Sequence, residues 1–384
     1  MSAGCSTLPR HPAPLDKMLD ANIQGITGVR AWSGTFSKQF EADLLLSIRQ
    51  EIKHKGTNKS EDMPVTNILS LSGGGDNGAF GAGFMQGWSR SGTRPEFKLV
   101  TGISTGALIS TFAFLGPDYD PILKQAYTTI SAENIYIPRF LSFLWSDAFV
   151  DTKPFSLLIK RYITKDIVHK VAQAHQRGRR LYIGTTNLDA DRLVVWNMGA
   201  IASSRHPKAL HLFRQIILAS ASIPVAFPPV LIEVEIDGIS YDEMHVDGGV
   251  KAQIFLLAAT LDLADFRKKL GLVEKVDRKR SIFVIRNAEV FPELKQVPRN
   301  LTKISERALS SLLKAQALND LNRIYVIAKK ENLDFNWVAL PGEYEPVESE
   351  EFDRKEMNRL FKRGYEEGLK GNVWKKVPPG NGYR

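Results

Sequence analysis

The chain has 384 residues, 43% of them hydrophobic and 24% charged, an ordinary globular balance that allows a sizeable buried core in one large domain or two smaller ones. A net charge of +9 and a pI of about 9.4 suit a surface that meets something anionic, such as phospholipid headgroups, lipopolysaccharide or nucleic acid; charge that only keeps the protein in solution is the alternative. One cysteine, Cys5, rules out an intramolecular disulfide. No Cys/His cluster has zinc-ligand spacing, and no apolar run approaches the roughly 20 residues of a membrane helix.

At the amino terminus, Ser2-Ala3-Gly4-Cys5-Ser6 reads like the end of a bacterial lipoprotein signal: small residues, then the cysteine that takes the lipid. The apolar stretch that precedes such a cysteine is not in this sequence, so a chance match is the alternative. A lipid on Cys5 would anchor the chain at the bacterial cell envelope, with residues 7–14 as a polar tether; without it the expected location is the cytoplasm. A helical pattern over 40–52 places Asp43, Arg49 and Glu51 at solvated positions. Residues 1–62 thus read as a tether and an extension wrapped on the main body.

Residues 67–72 form a short, largely aliphatic run, a good buried strand. It stops at Gly73-Gly74-Gly75-Asp76-Asn77-Gly78, and helical spacing resumes over 79–89. Three glycines open backbone paths that side chains would block, and they leave N–H groups bare at a helix start, where an anion is stabilised. Taken alone the loop is ambiguous. Gly73, Gly75 and Gly78 satisfy the dinucleotide pattern G-x-G-x-x-G, with Glu96 near the spacing of a ribose-binding acid, while a ligand-free tight turn fits equally. No Lys-Ser/Thr follows, which disfavours a Walker-type site.

The next motif separates these readings. A strand near 97–101 leads into Gly102-Ile103-Ser104-Thr105-Gly106, and a helix follows over 105–115. This is G-x-S-x-G between strand and helix, the context of a nucleophile elbow. Gly102 and Gly106 permit the sharp turn that projects the Ser104 hydroxyl at the helix N-terminus. The Gly74 and Gly75 amides then become candidate oxyanion donors, with the Thr105 N–H as a possible third.

Further along, residues 135–145 are aromatic-rich and suit a lid, an interfacial patch or a core segment. A helix near 153–176 precedes strands near 181–186 and 192–196. Residues 160–180 hold seven Lys/Arg against Asp166 alone, a basic face for anionic headgroups or simply a solvated one. A helix near 206–220 and strands near 230–236 and 243–247 follow. Most of the seven histidines read as surface residues. In Glu243-Met244-His245-Val246-Asp247-Gly248-Gly249, alternation sets His245 and Asp247 on one strand face. Asp247 then stands at a strand end with two glycines leaving room around its carboxylate; a plain Asp-Gly turn is the alternative. A buried strand at 281–286 and helices near 302–317 and 350–371 complete the pattern.

The order of Gly73–Gly78, Gly102-Ile103-Ser104-Thr105-Gly106 and Asp247-Gly248-Gly249 resembles that of patatin-like phospholipases. Ser220-Ala221-Ser222-Ile223-Pro224 with Phe227-Pro228-Pro229 is similar to the family's segment before its aspartate, and 352–374 to the closing helix of bacterial members. The similarity covers about 65–260. It implies a Ser-Asp dyad, with Ser104 as nucleophile, Asp247 as base and Gly73, Gly74, Gly75 and Gly78 in the oxyanion loop. One departure stands out: many members carry a basic residue before the last loop glycine, where this chain has Asn77. His245 remains a possible helper, with an inert histidine as the alternative.

The alternation of elements, with this resemblance, predicts an α/β fold of the patatin-like type: a three-layer sandwich with a mostly parallel sheet and helices on both faces. Residues 63–265 would form the catalytic core and 266–384 its continuation in the same α/β domain. The expected function is serine-dependent hydrolysis of phospholipid or related lipid esters through an acyl-enzyme. No metal, cofactor or nucleic acid is expected, and membrane contact is expected to be peripheral or lipid-anchored. A nucleotide-binding protein using Gly73–Gly78 and a catalytically silent lipid-binding lipoprotein are the alternatives.

Overall fold

The structure, a computed structural model, describes residues 8–56, 65–138, 150–257, 278–291, 296–347 and 350–380, together with Leu261, Lys268, Lys269 and Leu294. Cys5 and most of the aromatic segment 135–145 lie outside the described residues.

Among the described residues nine strands form the main sheet, and its centre is parallel. β2 (Thr66–Leu71) lies between β3 (Leu99–Ile103) and β10 (Arg280–Arg286). Outside these run β6 (Arg180–Asn187) beside β3, and β11 (Asp334–Ala339) beside β10, all parallel. The β6 edge is antiparallel: β7 (Arg192–Asn197) pairs with β6, and β1 (Arg30–Trp32) pairs with β7. A hairpin of β8 (Val230–Ile236) and β9 (Ile239–Asp247) joins the upper part of β6. A separate antiparallel pair is formed by β4 (Ile137–Pro138) and β5 (Val150–Asp151).

Strand alternation sends side chains to two faces, and each face has its own helices. On one face Leu69, Leu71, Val100, Leu181 and Ile183 join the largest core cluster. Packed there are α2 (Gly78–Arg90), α3 (Thr105–Leu115), α4 (Asp120–Thr128), α5 (Lys153–Tyr162), α6 (Lys165–Gln176), α7 (Met198–Ser203), α8 (Ala209–Ser220) and the closing helix, Arg354–Leu369. On the other face Tyr182 and Val195 meet α1 (Lys38–Lys55), while Ile282 and Val284 meet the long helix α9 (Leu301–Lys330). The closing helix is α10. It crosses α2 so closely that a Cβ at Gly364 would fall 2.0 Å from the Phe80 carbonyl oxygen. The three-layer α/β sandwich is therefore present.

Some local expectations change. The helix near 153–176 is two helices, because Thr164 leaves helical geometry and its side chain accepts a hydrogen bond from the Ile167 N–H as the N-cap of α6. The helix near 302–317 runs on to Lys330. Asp43 and Glu51, read as solvated, instead face buried cations. Asp43 accepts from Arg180 Nε at 2.6 Å and from Asn197 Nδ2 at 2.9 Å, and Glu51 pairs with Lys98 at 2.8 Å. Arg180 itself is fully buried, and Arg179 donates to the Phe97 carbonyl, so the basic stretch 160–180 presents fewer charges to solvent than its sequence suggests.

Candidate active site

At the end of β3 the chain turns sharply. Ser104 has φ 55° and ψ −128°, a conformation non-glycine residues rarely hold. Only small neighbours fit: a Cβ at Gly102 would lie 2.4 Å from the Gly106 carbonyl oxygen, and one at Gly106 would lie 2.5 Å from that of Leu71. The elbow is tied down by Ser220 at the end of α8. Its hydroxyl accepts from the Ser104 N–H at 2.9 Å and donates to the Gly184 carbonyl at 2.7 Å.

The sheet register brings Asp247 to the same point. Ile103, the last residue of β3, pairs with Gly184 of β6, and Asp247, the last residue of β9, pairs with Thr185. The two strands thus meet end to end along one edge of β6. The Asp247 N–H donates to the Ser222 carbonyl at 2.8 Å, so the turn 220–222 holds the backbones of both residues. Beyond it Gly248 and Gly249 form a short turn, and the Gly249 N–H donates to Asp247 Oδ1 at 2.6 Å. Burial raises the Asp247 pKa to about 7, against the smaller opposing effects of the Ser104 side chain and of the Gly249 N–H. A carboxylate is a poor base at its ordinary pKa of about 3.9, and the upward shift brings Asp247 toward the range where general bases work at neutral pH.

The glycine loop lies across from the elbow. A Cβ at Gly73 would come 3.1 Å from that of Ser104, and Gly75, with φ 57°, borders the same pocket as Ser104. At Gly74 a Cβ would strike the Asn287 carbonyl oxygen at 2.0 Å. Gly78 begins α2. Among the described residues neither the Gly74 nor the Gly75 N–H meets a hydrogen-bond acceptor, so both remain able to receive an anion.

Three residues supporting this loop were not evident in the sequence. Buried Arg286, at the end of β10, donates from one guanidinium nitrogen to the Gly73 carbonyl at 3.1 Å, to Ser72 Oγ at 3.2 Å and to Gln253 Oε1 at 2.9 Å. Gln253 Nε2 in turn donates to the Gly249 carbonyl at 3.1 Å. Asn287 donates its backbone N–H to Ser72 Oγ and its side chain to the Ser72 carbonyl. One hydrogen-bonded chain therefore joins the glycine loop to the aspartate turn. Its one sequence signal is a charged residue closing an otherwise aliphatic strand. Burial draws the Arg286 pKa down to about 10, which leaves it charged at neutral pH.

His245 does not reach this site. Its Nδ1 meets Thr185 Oγ1 at 2.9 Å, and its Nε2 meets Glu243 Oε2 at 3.0 Å, where Arg30 also pairs. Fully buried, with its pKa lowered by desolvation, it acts as a core histidine. Glu96 precedes β3, and its carbonyl accepts from Asn67 near the start of β2. The glycine loop follows the far end of β2, so the expected ribose-binding acid stands at the opposite end of these strands.

Beside Ser104 opens a pocket of about 580 Å³, counted to its open mouth. Leu108, Ile130, Phe155, Leu158, Ile217 and Phe227 line it, and Ile135 brings the start of the aromatic segment to its wall. Thr105 and Tyr127 also border it, their hydroxyls joined at 2.6 Å. Phe352 closes one side, its N–H donating to Asp76 of the glycine loop at 3.1 Å. A serine hydroxyl at a strained turn, a buried carboxylate, two open amide donors and an apolar cavity are the parts that cleavage of an ester with a long acyl chain would require. No described group of His, Cys, Asp and Glu is arranged to hold a metal ion.

The profile of the patatin-like phospholipase family matches residues 69–260, half of the chain. The protein belongs to this family of lipid acyl hydrolases. Among solved structures it is similar to VipD from Legionella pneumophila, with a TM-score of 0.39 and 11% identity over 80% of this chain and 66% of that one. The chain thus spans just under two thirds of VipD. No curated protein matches it in sequence.

Proposed function

We propose that this protein hydrolyses carboxylic esters of phospholipids or related lipids through a Ser104–Asp247 dyad. The observation that carries the reading is Ser104, at the elbow, acting on the buried carboxylate of Asp247, whose pKa burial lifts to about 7, at the edge of an apolar pocket. In the first step Ser104 Oγ attacks the ester carbonyl while Asp247 takes its proton. The oxyanion forms against the Gly74 and Gly75 amides. The lysolipid or alcohol leaves with the proton from Asp247, giving an acyl-enzyme. Water, deprotonated by Asp247, then releases the fatty acid and restores Ser104. The acyl chain occupies the pocket between α3, α5 and α8.

The direct test is fatty-acid release from a short-chain ester and from phospholipid vesicles. Turnover supports the reading and excludes a silent lipid binder. No turnover of either, with a correctly folded protein, overturns it. Lipid anchoring through Cys5 at the bacterial cell envelope belongs to the same proposal, and mass spectrometry of the protein from its native cells reads it directly.

Two residues that touch no reacting atom are expected to matter. Ser220→Ala removes the acceptor of the Ser104 N–H and a donor to the Gly184 carbonyl, and kcat is expected to fall about tenfold or more, with KM little changed. Arg286→Met is expected to lower kcat about 10²-fold by releasing the Gly73 carbonyl, because small misplacements of catalytic donors cost that much. Arg286 is absent from the groups that shift Asp247, so the pH dependence near 7 is expected to persist. Steady-state kinetics across pH checks both variants.

A further inference from the structure

Among the described residues, the long helix α9 is buried only in its second half, where Ala317, Leu321, Ile324 and Ala328 pack against β10 and β11. The preceding half, 301–316, about 24 Å long at 1.5 Å per residue, has no buried residue among those described. There Leu301 is 82% exposed and Leu312 69% exposed. With Ile304 and Ala308 they recur at helical spacing and form one apolar stripe. Phe291 and Leu294, just before the helix, are exposed as well. Contiguous exposure of this kind marks an interaction surface.

Two further observations say what covers it. Along this half Arg299 and Lys303 are exposed and Arg307 is half-buried, while Lys314 pairs with Glu289, so the described charge beside the apolar stripe is basic. The exposed half also ends beside the proposed site: Gln316 Nε2 donates to the carbonyl of Val250, three residues after Asp247. We infer that the amino-terminal half of α9, with Phe291 and Leu294, docks the protein on an anionic phospholipid bilayer. The inference rests on the proposed lipid hydrolysis. The apolar stripe enters the boundary between headgroups and acyl chains, the cations meet lipid phosphates, and the aspartate turn is held close to the interface that holds the ester. A second copy fits less well, since a two-fold contact would set one basic surface against another.

The experiment compares the full chain with the double variant Leu301→Asp/Leu312→Asp. Both are sedimented with vesicles of phosphatidylglycerol and phosphatidylcholine and with phosphatidylcholine alone, then assayed on those vesicles and on a water-soluble ester. Wild type is expected to bind the anionic vesicles more tightly than the neutral ones. The variant is expected to lose about tenfold or more in partitioning, with vesicle hydrolysis falling in parallel. Its circular dichroism and soluble-ester turnover are expected to match wild type, since neither leucine touches the site. Equal vesicle binding by wild type and variant overturns the inference. So does a wild-type dimer that the variant dissociates, for then a second copy covers the stripe. Absence of soluble-ester turnover in both proteins overturns the hydrolase reading alone, and the binding result still decides the docking surface.

Discussion

Ser104→Ala is expected to lower kcat/KM on a water-soluble ester by about 10⁴-fold or more, the scale seen when a catalytic nucleophile is deleted. The fold is expected to persist. Ser104 is 5% exposed and its backbone, not its hydroxyl, makes the contact to Ser220. Ala at φ 55° keeps the same strain without adding bulk. The pocket is unchanged, so KM for any residual activity is expected to stay close to wild type. Purified variant and wild type, compared by circular dichroism and by ester turnover, check this. A variant that retains wild-type activity removes Ser104 from the chemistry.

Asp247→Asn is the second large effect, with a loss of about 10⁴-fold in kcat on the scale of a disabled acid–base partner. Wild-type kcat/KM is expected to fall as pH drops through about 7, because the protonated carboxyl cannot accept the Ser104 proton. The variant's residual activity is expected to lack that dependence. Stability moves the other way. The folded-state pKa of Asp247 is raised, so the folded protein holds this proton where the unfolded chain has released it. Its contribution is fully favourable below about pH 4 and is lost as pH rises to about 7. A shift of about three pH units corresponds to at most ~4 kcal/mol. Asn cannot ionise, so the variant is expected to have the higher melting temperature at pH 8. Thermal melts at pH 5 and pH 8 read the difference. A variant less stable than wild type at pH 8 contradicts the desolvated carboxylate.

The residues legible in the sequence are those whose constraint is local. Gly102 and Gly106 must be small because a Cβ at either would strike a backbone oxygen, so the elbow leaves a fixed spacing around Ser104. The two glycines after Asp247 mark its turn in the same way. Arg286 and Gln253 left no such trace, and Ser220 left a resemblance without its role. They meet the site only through the parallel register of β2 with β10 and the end-to-end meeting of β3 and β9 on β6. The loop that carries Asn77 in place of a basic residue is braced from β10 instead, by an arginine more than 200 residues downstream.

The misread positions have physical causes too. Asp43 and Glu51 follow the polar periodicity of a solvated helix face, but that face covers Arg180 and Lys98. The helix near 153–176 shows one continuous amphipathic pattern, and only the Thr164 cap interrupts it. β1 has three residues, too few for a periodic signal, and β11 contains Asp334 and Asn336, which mask its burial. His245 and Asp247 do share the strand alternation seen in the sequence. Their hydrogen bonds separate them, since both histidine nitrogens are engaged by Thr185 and Glu243.

The measurement closest to the central claim is covalent labelling by an alkyl fluorophosphonate, which phosphonylates an activated serine as an ester carbonyl would acylate it. Peptide mass spectrometry is expected to find one adduct per chain, on Ser104. The labelling rate is expected to rise with pH through about 7 in wild type, to be greatly reduced in Asp247→Asn and to vanish in Ser104→Ala. An adduct on another residue, or labelling of Asp247→Asn at the wild-type rate, would contradict a nucleophile activated by this aspartate.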